Sequence, residues 1–224
     1  MEGSNVARRL AAVLAADVVG YSRLMEADEA GTLARLKTVR LELIDPAIAN
    51  CKGRIVKTAG DGILVEFQSV TEALRCAVDF QERMARRNRD MSASRALLYR
   101  IGINLGDVIV EEGDIFGDGV NVAARLESIA EPGGICISRA VYDQVGDRLP
   151  IVYEDLGEQQ VKNISRAIRV YKVLLNGQTS APTKVATEHA SPTVSVRNPS
   201  IAVTPMQSSL SANQQRPTTP ITPF

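Results

Sequence analysis

Arg54-Ile-Val-Lys-Thr-Ala-Gly-Asp-Gly-Ile-Leu-Val-Glu-Phe67 is the stretch on which the fold turns. Two β-rich runs, Arg54–Thr58 and Ile63–Phe67, flank Ala59-Gly-Asp-Gly62, a strong hairpin signal. Upstream, Leu10-Ala-Ala-Val-Leu-Ala-Ala-Asp-Val-Val19 reads as a buried strand. Between this strand and the hairpin, Leu33, Leu36, Leu43, Ile44 and Ile48 recur at helical spacing, and Pro46 is expected to kink or restart that helix. Downstream, Ala73, Leu74, Ala77, Val78 and Met84 mark an amphipathic helix that ends in an arginine-rich turn. Leu97–Leu105 and Val108–Val110 then read as strands on either side of a turn at Gly106-Asp107.

The opening order is therefore β-α-β-β-α-β. That order implies an α+β fold with a ferredoxin-like core, an antiparallel sheet with helices on one face. A helix over Val120–Ile129, further short strands and one more helix form a C-terminal extension. From Gln178 the chain becomes rich in Ser, Thr, Pro, Gln and Asn, with little apolar surface to offset its ordering entropy. The expected organisation is one domain over residues 8–175 and a disordered tail over 176–224.

Composition narrows the function. The chain has 224 residues, 45% of them apolar, and a formal net charge of zero, so nothing steers it toward nucleic acid or an anionic membrane. Arg83, Arg86, Arg87 and Arg89 form a basic patch at a helix end, without the interleaved aromatics of a nucleic-acid surface. The longest apolar run is too short to span a membrane and is interrupted by Asp17, which also removes a signal-peptide reading. Cys51, Cys76 and Cys136 lack metal-like spacing and read as reduced thiols. A cytoplasmic protein is expected, with no direct membrane insertion and no nucleic-acid partner. The only histidine is His189 in the tail, which argues against serine–histidine or cysteine–histidine hydrolysis and against a histidine-ligated zinc in the core.

Asp17 is the residue that needs an explanation. A carboxylate inside a buried strand is costly without a partner, and a cation is one such partner. Asp61 alone has an ordinary role as a hairpin-turn residue. On a ferredoxin-like sheet, however, the first strand neighbours the hairpin, so both carboxylates fall within reach of shared divalent metal, as phosphoryl transfer requires. Asn121 and Arg125 are four residues apart on a helix, and their side chains share one face. An amide and a guanidinium so placed can orient a ribose and hold a developing phosphorane charge. Gly113, Gly117 and Gly119 lead into that helix but match neither a P-loop nor a dinucleotide fingerprint. Asp107 and Asp118 are further candidate metal ligands, but their glycine neighbours favour turns.

Three blocks, Leu14-Ala-Ala-Asp-Val-Val-Gly-Tyr-Ser22, Lys57-Thr-Ala-Gly-Asp61 and Asp114-Ile-Phe-Gly-Asp-Gly-Val-Asn-Val-Ala-Ala-Arg125, resemble in order and spacing the signature blocks of class III adenylate/guanylate cyclase catalytic domains. The resemblance implies that Asp17 and Asp61, with the Val18 carbonyl, hold two Mg²⁺ or Mn²⁺ ions. It implies that Lys57 and Asp114 select the purine, and that Asn121 and Arg125 act on the transition state. Lys162, in Gln160-Val-Lys-Asn163, is similar to the lysine that contacts the triphosphate, although the family usually has glycine where Asn163 stands. It further implies a head-to-tail homodimer in which one protomer supplies the aspartates and its partner the remaining residues.

Adenine presents an acceptor at N1 and a donor at N6, which match an ammonium and a carboxylate; guanine reverses both. The implied activity is thus an adenylate cyclase in signal transduction, making cyclic AMP from ATP. A cyclase-homology module that binds nucleotide without turnover is the alternative. A diguanylate cyclase is a third reading, but its Gly-Gly-Asp/Glu-Glu-Phe signature is absent.

Overall fold

The computed structural model describes residues 7–160 and 166–175. Lys162 and the expected tail lie outside the described residues. The first strand, β1 (Ala7–Val18), is followed by α1 (Tyr21–Ala27) and α2 (Glu29–Val39). A π-helical turn over Arg40–Ile44 then leads into α3 (Asp45–Asn50), where Pro46 occupies the first turn. The helical stretch thus restarts around Pro46, as its ring requires. The expected hairpin is β2 (Arg54–Ala59) and β3 (Gly62–Phe67), joined by Gly60-Asp61, with Gly60 at φ +60°. A two-residue turn needs that conformation at its first position, and glycine adopts it freely.

Helix α4 (Val70–Asn88) begins at Ser69, whose hydroxyl accepts from the Glu72 backbone N–H, and it ends with Arg86 and Arg87 against the negative end of the helix dipole. The arginine patch there is laced by ion pairs of Arg83 with Asp79, Arg86 with Glu82 and Arg87 with Glu42. The remaining elements are β4 (Tyr99–Glu111), β5 (Asp114–Phe116), α5 (Asp118–Ile129), β6 (Ile135–Ser138), α6 (Arg139–Val145), β7 (Val152–Gln159) and β8 (Ile168–Leu174).

The sheet runs β2-β3-β1-β4-β6-β8-β7, with β5 paired to β4. Its first four strands are antiparallel throughout and in ferredoxin-like order. The parallel pairing of β4 with β6 belongs to the extension.

Strand β1 is central and apolar on both faces. Ala12, Leu14, Ala16 and Val18 join the core formed with α1 to α4 and α6, whereas Ala11, Val13 and Ala15 meet α5 and β5. The helices of the βαββαβ unit thus occupy one face, and α5 covers the other.

One expectation is corrected. Gly106-Asp107 is not a turn: β4 runs unbroken through it, with Asp107 opposite Leu10 and Gly106 opposite Ala11. The glycine serves helix packing, because a Cβ on Gly106 would lie 3.1 Å from the Cα of Gly119 in the first turn of α5. Glycine inside a strand can mark such close backbone approach as well as a bend. The same contact recurs at Gly102, where a Cβ would fall 2.1 Å from the Glu127 nitrogen and 2.2 Å from the Ala123 oxygen. Helix α5 is therefore pressed onto β4 along its whole length.

Candidate active site

Asp17 sits one residue before the end of β1, on the face that α5 covers. Directly opposite in the ladder stands Arg100, whose Nε donates to Asp17 Oδ1 at 3.0 Å and whose Nη2 donates to Oδ2 at 2.5 Å. Asp61, in the hairpin turn, accepts from the Val18 backbone N–H at 3.1 Å through Oδ2. That bond ties the tip of the β2–β3 hairpin to the end of β1, so the two aspartates meet at one end of the sheet.

Two residues at this end escaped the sequence reading. Arg100 carried the same signal as Asp17, a single charge inside an apolar strand, and pairing the two strands would have matched them. Glu127 had no such signal. It lies on α5 with its side chain 13% exposed, 3.2 Å from Arg100 Nη2. The guanidinium is aligned on Asp17, which leaves Glu127 Oε1 without a well-formed hydrogen bond. Burial, then the hydrogen bond with Asp17 and its charge, pushes the Glu127 carboxyl up to about 8. Two acids and one arginine thus share a half-buried pocket.

The base-selecting candidates are also together. Lys57 Nζ donates to Asp114 Oδ2 at 2.9 Å and lies 5.3 Å from the centre of the Phe116 ring. A register shift between Ile55 and Lys57 re-aims the lysine within β2. Asp114 Oδ1 accepts from the Ile115 N–H at 2.7 Å. The Lys57 hydrogen bond, seconded by that backbone bond, holds Asp114 below the usual carboxylate range. Lys57 is 48% exposed, so the pair contributes little stability. It does hold an ammonium donor and a carboxylate acceptor side by side at the surface.

Asn121 and Arg125 lie on successive turns of α5, while Val122, Ala123 and Leu126 face inward. Asn121 is exposed and Arg125 half-buried. Among the described residues neither side chain has a hydrogen-bond or ion-pair partner. An unpaired half-buried guanidinium is suited to an anion arriving from outside.

Within one chain the structure groups Asp17 with Asp61, Lys57 with Asp114, and Asn121 with Arg125. Among the described residues no hydrogen bond or ion pair joins one of these three groups to another. A cavity of about 550 Å³ lies elsewhere, beside Asn104, Asp118, Arg139 and Arg166. Asp118 there is ion-paired to Arg166, and Asp107 is seven ladder positions from Arg100, about 23 Å along the strand. Neither belongs with Asp17.

The donor set at the sheet end fits a hard divalent cation. It offers two carboxylates beside a backbone carbonyl, and Mg²⁺ commonly takes one or two carboxylates plus substrate phosphates and water. Among the described residues no cluster of three or more His, Cys, Asp or Glu side chains forms a closed all-protein site. The three cysteines are free, as expected.

The family described as "Adenylate and Guanylate cyclase catalytic domain" matches residues 7–176. A protein of Rhizobium meliloti named "Putative adenylate cyclase 3" is 45% identical over 205 residues, which are 92% of this chain and 35% of that protein. An adenylate cyclase of Streptomyces coelicolor is 36% identical over 62% of this chain and 35% of its own length. The chain therefore spans little more than a third of either relative. Among solved structures, an adenylate/guanylate cyclase/hydrolase from Silicibacter pomeroyi is 55% identical with a TM-score of 0.71, covering 75% of this chain and 98% of that one. The adenylyl cyclase CyaB from P. aeruginosa is 27% identical with a TM-score of 0.66, covering 79% of this chain and 100% of that one.

Proposed function

The chain belongs to the adenylate and guanylate cyclase catalytic domain family, and from that premise we propose that it is an adenylate cyclase acting in signal transduction as a head-to-tail homodimer. The reaction is attack of the ribose 3′-oxygen on the α-phosphorus of ATP. A new P–O bond closes the ring, the bond to the bridging oxygen breaks, pyrophosphate leaves, and the hydroxyl proton passes to water.

The observation that carries the choice of ATP is the Lys57–Asp114 pair at 2.9 Å. Its ammonium suits the N1 acceptor of adenine, and its carboxylate suits the N6 donor. Guanine would face donor with donor and acceptor with acceptor, a mismatch of the kind that discriminates strongly between substrates. Curated relatives named as adenylate cyclases support the same choice.

Asp17, Asp61 and the Val18 carbonyl would hold Mg²⁺ or Mn²⁺, two per site. Bound there, the metal supplies a lowered pKa for the hydroxyl and charge neutralisation for the triphosphate. Asn121 orients the ribose, and Arg125 places its fork against the α-phosphate where negative charge develops. Among the described residues both have side chains free for that work, and neither is hydrogen-bonded or ion-paired to Asp17. On this reading the site is shared, with the aspartates from one protomer and Lys57, Asp114, Asn121 and Arg125 from its partner. Lys162 would reach the triphosphate. Among the described residues no helix is long and apolar enough to cross a membrane.

The test is product formation by the purified chain from ATP and from GTP, each with Mg²⁺ and with Mn²⁺. Cyclic AMP formed from ATP in preference to cyclic GMP from GTP supports the proposal. No product under either metal, from a chain that binds ATP, would favour a nucleotide-binding module instead.

A further inference from the structure

Glu66 is a buried acid that the reaction does not use. Its side chain is only 4% exposed, and it lies on β3 opposite Arg54 of β2 and Val13 of β1. Two arginines neutralise it. Arg9 pairs with Oε1, and Arg54 sends both Nε and Nη2 to Oε2 at 3.1 and 2.7 Å. That fork leaves one guanidinium nitrogen of Arg54 over. Nη1 donates to the Gly113 carbonyl at 2.6 Å, 59 residues away along the chain.

Gly113 is the tip of the β4–β5 hairpin and immediately precedes Asp114. The tip is a left-handed turn, with Glu112 at φ +50° and Gly113 at φ +84°. It carries the carboxylate half of the base-selecting pair over to β2, which carries the ammonium half. Hydrogen bonds from Arg54 to Gly113 and from Lys57 to Asp114 both tie the tip to β2. The second is made by the selecting groups themselves, and it loosens whenever those groups turn to a base. The first uses neither selecting side chain and can stay closed.

We propose that Arg54, oriented by the buried Glu66 carboxylate, is a positioning residue that fixes the Gly113–Asp114 tip and thereby sets the discrimination between adenine and guanine nucleotides. The inference rests on the assignment of Lys57 and Asp114 as the base-selecting pair. A buried acid between two arginines adds little net stability compared with apolar packing. Its effect is orientation: the planar fork of Arg54 is locked at two nitrogens, so the third points one way. Arg9 gives an internal comparison, because it pairs with the same carboxylate whereas the bond to Gly113 comes from Arg54.

The test is equilibrium binding of α,β-methylene ATP and α,β-methylene GTP, which cannot release pyrophosphate, to the full chain with Mg²⁺. Arg54→Gln is expected to lower the ATP:GTP affinity ratio by about tenfold, the scale of a misplaced polar contact to a base. Arg54→Lys, with one point donor in place of a fork, is expected to give an intermediate ratio, and it provides the reading should Arg54→Gln fail to fold. Arg9→Gln is expected to keep the parent ratio. A folded Arg54→Gln chain with the parent ratio would overturn the proposal, as would an equal loss in Arg9→Gln. A parent chain that binds both analogues equally would instead remove the base-selecting assignment of Lys57 and Asp114, and this inference with it.

Discussion

Arg100 faces Asp17 across the β1–β4 ladder and grips both oxygens of its carboxylate, at 3.0 and 2.5 Å. The charge that looks unaccountable in an apolar strand is thus balanced within the chain, by a cation on the neighbouring strand. A divalent metal approaching Asp17 meets a site whose charge is already partly compensated.

Arg100→Gln should therefore destabilise the chain in EDTA by about 1–3 kcal/mol, the range for losing hydrogen bonds to a half-buried charge. Adding Mn²⁺ should recover part of that loss, since a ligand that binds only the folded chain raises its stability. Thermal unfolding with and without Mn²⁺ reads both effects. An unchanged Tm in EDTA would show that the pair carries no weight.

Glu127 gives the metal-free chain a pH dependence of definite sign. Its carboxyl is raised from an ordinary 4.5 to about 8, chiefly by burial and then by Asp17. A raised carboxyl favours the folded state fully below the unfolded value, and the benefit is lost as pH climbs through the folded value. Tm in EDTA should accordingly fall as pH rises across that window. Glu127→Gln, neutral at every pH, should flatten the profile. Parallel profiles for parent and variant would contradict the assignment.

Gly102→Ala tests how tightly α5 is seated. The new methyl would meet backbone of Glu127 and Ala123 near 2 Å, with no flexible side chain to move aside. A loss of roughly 3 kcal/mol is expected, the upper end for overpacking. Activity should fall further than stability alone explains, because the same helix carries Asn121 and Arg125. Chemical denaturation alongside turnover at saturating substrate separates the two.

Much of this was legible in the sequence, for reasons that particular residues make plain. The hairpin at Gly60-Asp61 and the two-faced apolar run of β1 are local signals, and they fixed the ferredoxin-like order. Asp17 stood out because its neighbours are apolar. Arg100 carries the same signal but was passed over, and its meaning required the register that pairs it with Asp17, 83 residues away. Gly106 was misread as a turn because glycine's two uses, bending the chain and admitting another backbone, look the same until the helix is in place. Glu127 was invisible: its burial follows from the close approach at Gly102, which no local pattern records. Covering the second sheet face by α5 was likewise beyond the βαββαβ pattern.

Reversing the base-selecting pair should reverse the preference. In the double variant Lys57→Glu with Asp114→Lys, the ion pair is retained with its polarity exchanged. The pair then offers an acceptor to guanine N1 and a donor to O6. The ratio of kcat/KM for ATP to that for GTP should fall by at least about 100-fold, given the cost of mismatched polar groups against a bound base. A ratio that stays with ATP would remove Lys57 and Asp114 from base selection.

The central claim, a metal-dependent cyclase site divided between two protomers, is tested most directly by mixing inactive variants. Asp17→Asn lacks one half of the site and Arg125→Ala the other. Each alone should be nearly inactive in forming cyclic AMP from ATP. In an equal mixture, half of the randomly paired dimers are mixed, and each of these retains one intact site of two. Activity should then return to about a quarter of the parent rate, as two-fold symmetry dictates. A mixture no more active than its components, with exchange between dimers verified, would contradict a shared site.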